Sequence, residues 1–412
     1  MRIGIFTDSY PPYINGVSTS IVMLQQALEK KGHQVYIVTV NATEHSYKFE
    51  NDNKIIRIPG IPIGIYDYRI STIYPVRIIN RIKKWDLDVI HSQTEFGVGT
   101  FARIIAKQFD IPLVHTYHTM YEDYVHYITK GYFNKSSKKV VEYLTKFYCD
   151  KTATELIVPT KKTYALFKEK YKYERNIHII PTGIDVERFY KENVSSKEVE
   201  QIKKDLNIRK DDFVILFVGR IGKEKSIDVL IEGQHAFIRK YPHCKLMIIG
   251  DGPDAPHYMK LVKKLKLENN VKFVGKIPWD EIPKYYQIAD IFATASRTET
   301  QGLTVIEAMA SSLPVVAADD DSFKDIIIND LNGYLFSNKK QYRKIIEKLL
   351  DDKEKVSYLS KQARISSETY SSKYFAERVL KVYENAIKES GNSNKSYFGR
   401  IKNVIKRGWH GK

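Results

Sequence analysis

The chain has 412 residues, of which 43% are hydrophobic, and its 66 Lys and Arg against 49 Asp and Glu give a formal net charge of +17 at pH 7. This length predicts two domains, and no apolar run reaches the 18 or more residues of a membrane-spanning helix. The positive charge favours a polyanionic partner, either nucleic acid or an anionic membrane surface. Cys149 and Cys244 are far apart and lack metal-ligand spacing, so they predict free thiols in a reducing cytoplasm.

Short apolar runs alternate with helical patterns along most of the chain. Residues 17–31, 97–108 and 161–171 have helical periodicity. The predicted strands are 2–8, 34–40, 54–60, 87–93, 111–118 and 154–160, followed by 213–220, 245–252, 271–277, 290–296, 313–318 and 333–337. Near-continuous apolar strands alternating with helices are typical of buried parallel sheets. The sequence therefore predicts an α/β protein with two Rossmann-like doubly wound domains that face each other across a cleft.

The alternation breaks once, in the charged stretch 186–210, which is predicted to be a linker. It separates an N-terminal domain over 1–185 from a C-terminal domain over 211–370. A C-terminal helix over 371–390 and a basic amphipathic tail over 391–412 follow. Sheets of this type bind ligands beyond the carboxyl ends of their strands, so site residues are expected in the turns that follow strands.

Two such turns stand out in the N-terminal domain. The Asn-Gly pair at 15–16 follows the first strand and predicts a tight turn close to a ligand, with Ser18 as the N-cap of the next helix. His115 and His118 end a later strand, where a side chain reaches the ligand edge of the sheet. A lone histidine is more often structural. These histidines and Glu122 do not complete a tetrahedral set, so no metal site is predicted.

In the C-terminal domain, the stretch TETQGLTVIEAMA (298–310) combines a loop with a helix. Gly302 is predicted at the helix start, where free backbone N–H groups and the helix dipole attract an anion such as phosphate. Glu299 is positioned to accept hydrogen bonds from sugar hydroxyls, and Glu307 to accept a vicinal diol. A capped helix with a solvated glutamate is the alternative, and the spacing alone does not separate the two.

Two further turns follow strands in this domain. FVGRIGKEKS (217–226) places Arg220 and Lys225 five residues apart, where they can grip phosphate oxygens or simply face solvent. IIGDGPD (248–254) is a glycine turn without the full G-x-G-x-x-G pattern, and the P-loop pattern is absent. These absences disfavour nicotinamide enzymes and P-loop NTPases.

Together these motifs resemble those of the retaining glycosyltransferases of family 4, which have the GT-B fold, and the similarity runs from residue 1 to about 385. The matching motifs are the N-terminal glycine loop (15–17), His118, the GR…K turn (Arg220 and Lys225), GDGP (250–253) and E-x7-E (Glu299 and Glu307). There are two departures: the N-terminal loop has one glycine where many relatives have two, and 317–328 carries a run of three aspartates (319–321) where relatives often carry Gly-Gly.

The resemblance implies a role for each matched residue. Arg220 and Lys225 would stabilise the leaving diphosphate with the amides at 302–303, Glu299 would hold the transferred sugar, and Glu307 the ribose. The implied catalytic residues are His118, Arg220, Lys225 and Glu299, and the implied donor-binding residues are Gly16, Gly252, Ile277, Gln301, Gly302, Leu303 and Glu307. No cofactor or metal is implied, because cationic side chains and the helix start take that role. Front-face attack is implied, so Glu299 is not expected to be a nucleophile.

The distribution of charge bears on the acceptor. Residues 68–85 contain five basic residues and no acid, and Arg77, Arg81 and Lys84 flank a stripe of Ile78, Ile82 and Trp85. This pattern predicts a basic amphipathic helix that lies on an anionic bilayer. The tail repeats it, with Phe398, Ile401, Ile405 and Trp409 on one face and Lys402, Lys406 and Arg407 off it. A solvated helix and a disordered tail are the alternative. Residues 133–148 form a third basic, aromatic segment.

No recognisable nucleic-acid-binding module accompanies these basic segments, so nucleic acid is not an expected partner. The stretch 117–131 resembles diacylglycerol glucosyltransferases of low-GC Gram-positive bacteria. The resemblance implies a monotopic enzyme without a transmembrane helix, on the cytoplasmic face of the membrane. It would transfer glucose from UDP-glucose to the 3-hydroxyl of 1,2-diacylglycerol, with UDP-sugar, diacylglycerol and anionic lipids as partners.

Other readings of the sequence stay open. The same chemistry can serve a polyprenyl lipid, an inositol lipid or a polysaccharide, or use UDP-galactose. A nucleotide-sugar epimerase or oxidoreductase on paired α/β domains and a non-catalytic nucleic-acid-binding protein belong to other classes. The sequence gives no indication of the oligomeric state.

Overall fold

The structure, a computed structural model, describes residues 1–13, 15–62, 69–95, 97–118 and 153–408, with side chains described up to residue 391. The chain forms two compact units. The first comprises Met1–Pro159, Thr163–Pro181 and the chain from Phe375 onward, and the second comprises Thr160–Lys162 and Thr182–Tyr374.

The first unit is built on a mostly parallel sheet. Its strands and one separate hairpin, in chain order, are β1 (Arg2–Thr7), β2 (Gln34–Val40), β3 (Lys48–Glu50), β4 (Ile55–Ile58), the hairpin β5 (Gly60–Pro62) and β6 (Arg69–Ser71), β7 (Val89–Ser92), β8 (Leu113–Thr116), β9 (Glu155–Val158) and β10 (Ile177–Ile179). The eight-stranded sheet has the spatial order β10-β9-β8-β7-β1-β2-β4-β3, and only the edge strand β3 is antiparallel to its neighbour. The order reverses at β1, which lies between β2 and β7.

Helices cover both faces of this sheet. They are Gly16–Lys30, Val76–Trp85, Gly97–Phe109, the short helix Lys161–Ala165 with the π-helical turn Leu166–Lys170, and the long C-terminal helix Ser372–Gly408. The C-terminal helix buries Phe375, Val379 and Tyr383 in the same core as Leu24 of the first helix. This spacing of four residues places the buried side chains on one helical face. The helix continues through residue 391, where the sequence suggested a separate tail.

The helix Val76–Trp85 differs from its predicted role. Its apolar stripe, Ile78, Ile82 and Trp85, is buried in a core cluster of the first unit. Arg77 and Arg81 lie over the rings of Tyr47 and Phe49 at 5.2 and 4.2 Å from the ring centroids. The stripe and Trp85 therefore do not face a bilayer, because an amphipathic pattern indicates a buried face without specifying whether protein or lipid covers it.

Replacing Ile82 tests this orientation. Ile82 is 1% exposed, whereas Val76 at the start of the same helix is 69% exposed. We expect Ile82→Val to lower the free energy of unfolding by about 0.5–1.5 kcal/mol because it removes one buried methylene. We expect Val76→Ala to change it by less than about 0.5 kcal/mol. Denaturant unfolding of both variants measures the difference, and equal effects would contradict the orientation.

The strands of the second unit are β11 (Phe213–Val218), β12 (Cys244–Ile249), β13 (Val271–Gly275), β14 (Ile291–Thr294), β15 (Val315–Ala318) and β16 (Gly333–Phe336). They form a six-stranded sheet, all parallel, with the spatial order β13-β12-β11-β14-β15-β16. Counted from β11 this is the order 3-2-1-4-5-6 of the Rossmann fold. Its helices are Ser196–Asp205, Ile227–Phe237, Ala255–Lys264, Ile282–Tyr286, Leu303–Ala310, Lys339–Asp351 and Lys353–Ser367. The predicted class, two Rossmann-like α/β domains, is confirmed.

The predicted linker 186–210 belongs to the second unit. Val186, Phe189, Val199 and Ile208 are buried in a core cluster of that unit. Because these apolar residues are separated by charged ones, composition alone suggested a solvated connection. The chain instead enters the second unit at Thr182 and leaves it after Tyr374.

Candidate active site

The turns after four neighbouring strands of the second unit lie side by side. The turn after β11 contacts the turn after β12, where Gly250 has a φ of 136° and a Cβ there would lie 1.9 Å from the carbonyl oxygen of Gly219. A Cβ at Gly252 would lie 2.3 Å from the carbonyl oxygen of Ile221. Only glycine allows the two backbones to approach this closely. The glycines of GDGP thus place the Arg220 turn beside the ends of β12 and β13.

The predicted phosphate-binding cations are both ion-paired within this unit. The Lys225 ammonium pairs with the Glu299 carboxylate, and both side chains are largely shielded from solvent. Arg220 pairs with Glu224 in the same turn. The structure therefore brings together Lys225 and Glu299, which are 74 residues apart in the sequence.

The helix Leu303–Ala310 begins as the sequence predicted. Its N-cap is Gly302 with a φ of 79°, a left-handed conformation that favours glycine, and no side chain caps the helix from this position. The backbone amides at 302–303 lie at this helix start, where an anion is favoured, whereas the Val305 amide donates to the Gly302 carbonyl at 3.0 Å.

The loop that carries Glu299 is held by the side chains of Gln301 and Thr160. The amide of Gln301 is buried and bonds the backbone N–H and C=O of Thr182 at 2.7 and 3.0 Å. The Thr160 hydroxyl donates to the Thr300 carbonyl at 3.1 Å. The side chain of Gln301, expected to bind the donor, therefore positions the loop.

Each of the three aspartates that depart from the family pattern pairs with a lysine, and the partner of Asp320 also reaches the Glu299 loop. The Lys162 ammonium lies 2.9 Å from a carboxylate oxygen of Asp320 and 3.4 Å from the Glu299 carbonyl oxygen. Asp320 also accepts from the Ser322 hydroxyl at 2.6 Å. The aspartate-rich segment therefore supports the Glu299 loop through Lys162.

Glu307 lies in a largely buried position in the same unit. Burial raises the pKa of its carboxyl, and the Tyr286 hydroxyl donates to Oε2 at 2.7 Å. The Arg188 guanidinium contributes a favourable charge, stacks 3.3 Å from the ring centroid of Trp279 and donates to the Trp279 carbonyl. These contacts fix the segment that follows β13 and contains Ile277.

In the first unit, the turn after β1 is capped differently from the expectation. Asn15, and not Ser18, is the N-cap of the helix Gly16–Lys30, and its Oδ1 accepts from the Ser18 backbone N–H at 2.9 Å. Ser18 is buried in the first turn. Asn15 precedes the first helical residue and has an extended backbone, with φ −158° and ψ 169°, as an N-cap requires, whereas Ser18 lies inside the helix. Gly16 is the first residue of the helix.

The two histidines after β8 have different surroundings. His115 is buried, with Nε2 at 3.2 Å from the Glu95 carboxylate and Nδ1 at 3.0 Å from the Ser92 carbonyl. His118 is partly exposed, and its Nε2 lies 2.6 Å from Oε1 of Gln93. Burial lowers the pKa of His118 to about 4, so its imidazole is neutral at physiological pH.

Several predicted features lie outside the described residues or side chains. These are Cys149, Glu122, the stretch 133–148, Trp409 and the side chains of Ile401, Lys402, Ile405 and Lys406. Among the residues that are described, no three His, Cys, Asp or Glu side chains are grouped so as to hold a metal ion. None of the described helices is both long and apolar enough to cross a membrane.

Comparisons with known proteins agree with this architecture. The Glycosyltransferase Family 4 model matches residues 14–188, and the model for glycosyl transferases group 1 matches residues 198–366. The alpha-monoglucosyldiacylglycerol synthase of Acholeplasma laidlawii is 39% identical over 94% of this chain and 98% of its own length. The enzyme of the same name from Streptococcus pneumoniae is 34% identical over 94% of this chain and 86% of its own length.

Solved structures show the same fold at low sequence identity. Anabaena HepE in complex with UDP has a TM-score of 0.71 at 17% identity, covering 93% of this chain and 100% of HepE. Sucrose-phosphate synthase from Thermosynechococcus elongatus has a TM-score of 0.72 at 19% identity, covering 93% of this chain and 98% of that structure. The enzyme class expected from the motifs, a hexosyltransferase, is confirmed. The chain belongs to the GT-B glycosyltransferases that combine a family 4 domain with a group 1 glycosyl transferase domain.

Proposed function

We propose that this glycosyltransferase moves glucose, with retention, from UDP-glucose to the 3-hydroxyl of 1,2-diacylglycerol and makes monoglucosyldiacylglycerol. The observation that carries the proposal is the 39% identity, over 94% of the chain, to a relative named for synthesis of that lipid. HepE, a structural neighbour with a TM-score of 0.69, has been solved with UDP-glucose, which supports a uridine-diphosphate donor.

The chemistry requires a stabilised leaving group. The lipid hydroxyl forms the new bond to the anomeric carbon while the bond from that carbon to the diphosphate oxygen breaks. The hydroxyl proton passes to the departing phosphate on the same face of the sugar. Arg220, Lys225 and the amides at 302–303 neutralise the charge that develops on the diphosphate. Because Lys225 pairs with Glu299 in the same unit, one ammonium can bridge the diphosphate and the carboxylate that holds the sugar.

The nucleotide is held by a second carboxylate. Tyr286 occupies Oε2 of Glu307, so Oε1 is the oxygen oriented for the ribose hydroxyls. The neighbouring Arg188–Trp279 stack fixes the backbone around Ile277, which receives the base. His118 contacts the hydroxyls of the transferred sugar, and Gly16 leaves room for the phosphate.

We expect the reaction to proceed without a metal ion. The two cations and the helix start supply the positive charge that a divalent metal provides in other transferases. Transfer rates measured after treatment with EDTA should stay within about two-fold of the untreated enzyme, since no metal then takes part in stabilising the diphosphate. Loss of activity that Mg²⁺ or Mn²⁺ restores would contradict this expectation.

An exposed apolar patch in the first unit supports membrane association. It consists of Ile61 and Ile70 on the hairpin β5–β6 and Ile73, Tyr74 and Val76 at the start of the helix Val76–Trp85, which are 62%, 46%, 55%, 39% and 69% exposed. Exposed Arg77, Arg81 and Lys84 follow on that helix. Apolar side chains bordered by basic ones match the boundary between acyl chains and anionic headgroups. We infer that this patch, in place of the buried stripe, lies on the cytoplasmic face of the membrane.

Polar substitution of the patch tests this inference. We expect Ile73→Ser with Val76→Ser to reduce the fraction bound to anionic vesicles by about ten-fold or more, because each side chain loses roughly 1–2 kcal/mol of apolar transfer. Ile365→Ser is the matched control, since Ile365 is 58% exposed in the second unit. Vesicle sedimentation measures binding. Equal binding by the double variant and the control would rule out the patch as the membrane contact.

An acceptor panel tests the proposed function as a whole. With UDP-glucose fixed as donor, diacylglycerol, a polyprenyl phosphate, phosphatidylinositol and a soluble polysaccharide are offered in turn, and UDP-galactose then replaces the donor. The proposal predicts product on diacylglycerol with UDP-glucose. Preference for another acceptor would leave the enzyme class unchanged and contradict diacylglycerol as the acceptor.

A further inference from the structure

A buried chain of hydrogen-bonding side chains runs through the first unit to His118. Tyr383 of the C-terminal helix lies with its hydroxyl 2.6 Å from Nδ1 of His91, and Thr116 Oγ1 lies 2.7 Å from Nε2 of the same ring. The amide nitrogen of Gln93 lies 3.1 Å from His91 Nδ1, and its Oε1 lies 2.6 Å from His118 Nε2. Gln93, His91 and Tyr383 are all buried.

We propose that Gln93 is a positioning residue that keeps the proton of His118 on Nε2 and leaves Nδ1 as a hydrogen-bond acceptor for a hydroxyl of the substrate. The proposal rests on the proposed function of His118 as a sugar contact. His91 and Tyr383 act behind Gln93 and hold its amide in one orientation.

The polarity of each contact explains this assignment. An amide oxygen only accepts, so the short contact to His118 requires an N–H at Nε2. The Gln93 amide nitrogen lies 3.1 and 3.2 Å from the two ring nitrogens of His91, and the unprotonated one offers a lone pair to the amide N–H. His91 is neutral because burial holds its pKa well below the usual range. The neutral ring donates its one N–H to the hydroxyl of either Thr116 or Tyr383, and the other hydroxyl donates to the unprotonated nitrogen.

A neutral His118 is required for this role. An imidazolium has no lone pair and can only donate, so it would not accept a hydrogen bond from a sugar hydroxyl. Burial is the main cause that keeps the pKa of His118 low, and His115 lowers it further. The Glu95 carboxylate acts in the opposite direction. Gln93 adds no charge to this balance, whereas a carboxylate at that position would favour the imidazolium.

Selective 15N labelling of the histidines of the full chain, followed by long-range NMR of the ring nitrogens, measures this directly. The chain has 11 histidines, and the spectrum of His118→Gln identifies the signals of His118. We expect the Nε2–H tautomer in the wild-type protein. The Nδ1–H tautomer would overturn the proposal, and this result is independent of any donor or acceptor.

Variants of Gln93 then link the tautomer to catalysis. We expect Gln93→Leu to populate both tautomers of His118 and to lower kcat by about ten-fold or more. We expect Gln93→Glu to raise the pKa of His118 and to move the acidic limb of the pH profile to higher pH. Tyr383→Phe, which keeps the ring, is expected to have the effects of Gln93→Leu on the tautomer and on kcat, but smaller ones. An unchanged tautomer and an unchanged pH profile in folded Gln93→Leu and Gln93→Glu would overturn the proposal, whereas an altered tautomer with normal transfer would contradict only the role of His118 in sugar binding.

Discussion

Lys225→Ala is expected to lower kcat by about 10²–10³-fold, the loss that follows removal of one pre-organised group that stabilises developing charge. Lys225 lies in the same turn as Arg220, and its ammonium pairs with Glu299. Its replacement therefore removes a positive charge from the position proposed for the diphosphate. The effect should fall mainly on kcat, because the charge on the bridging oxygen develops only as the bond to the sugar breaks. Steady-state kinetics with UDP-glucose separates kcat from KM.

Lys223→Ala is the matched control for this experiment. Lys223 lies two residues away in the same turn and is exposed. Its backbone N–H donates to Asp254 at 2.8 Å, and its carbonyl accepts from the Ser226 N–H at 3.1 Å. Its replacement should leave kcat within about two-fold, since exposed substitutions away from such features have small effects. If Lys225→Ala were as active as Lys223→Ala, the assignment of the diphosphate to this turn would be wrong.

Glu307→Gln is expected to raise the KM for UDP-glucose and the inhibition constant of UDP by roughly 10–100-fold. A hydrogen bond to a charged group contributes about 1.5–3 kcal/mol, and the amide keeps one acceptor oxygen while it loses the charge. The change should appear for both ligands, because each carries the ribose. Inhibition by UDP therefore measures the effect without turnover.

A nucleotide analogue provides the control for Glu307. UDP-glucose without the ribose 2′-hydroxyl should bind the wild type more weakly than the natural donor, whereas Glu307→Gln should discriminate much less between the two donors. This double comparison isolates the contact between carboxylate and ribose from any general damage. Tyr286→Phe, which removes the hydroxyl that holds Oε2, should lie between the wild type and Glu307→Gln. Equal discrimination by all three proteins would show that Glu307 does not bind the ribose.

Much of the fold could be predicted from the sequence because the strands of parallel sheets are buried on both faces and are nearly continuous apolar runs. FVILFV (213–218) is a run of this kind, and its shortness and its β-branched and aromatic residues favour a strand over a helix. The return of the C-terminal helix to the first unit could not be predicted. Phe375, Val379 and Tyr383 form an ordinary apolar helical face, and such a face does not specify the sheet it covers.

The candidate site was likewise only partly predictable from the sequence. Residues that follow strands, such as Arg220 and Glu299, could be found because parallel strands present their carboxyl ends at one edge. The contacts that support the Glu299 loop could not be predicted, because the partners are distant in the sequence. Lys162 and Asp320 are separated by 158 residues, and Gln301 and Thr182 by 119. Gln93 could have been identified as a site residue by the same reasoning, since it directly follows β7.

The structure of the lipid product tests the central proposal most directly. The enzyme is incubated with UDP-[13C]glucose and vesicles that contain 1,2-diacylglycerol and an anionic lipid, and the extracted lipid is examined by NMR. We expect one glucosyl lipid, with the sugar in α linkage to the 3-position of the glycerol. A β-linked product would contradict retention, and release of UDP without any glucosyl diacylglycerol would contradict the acceptor.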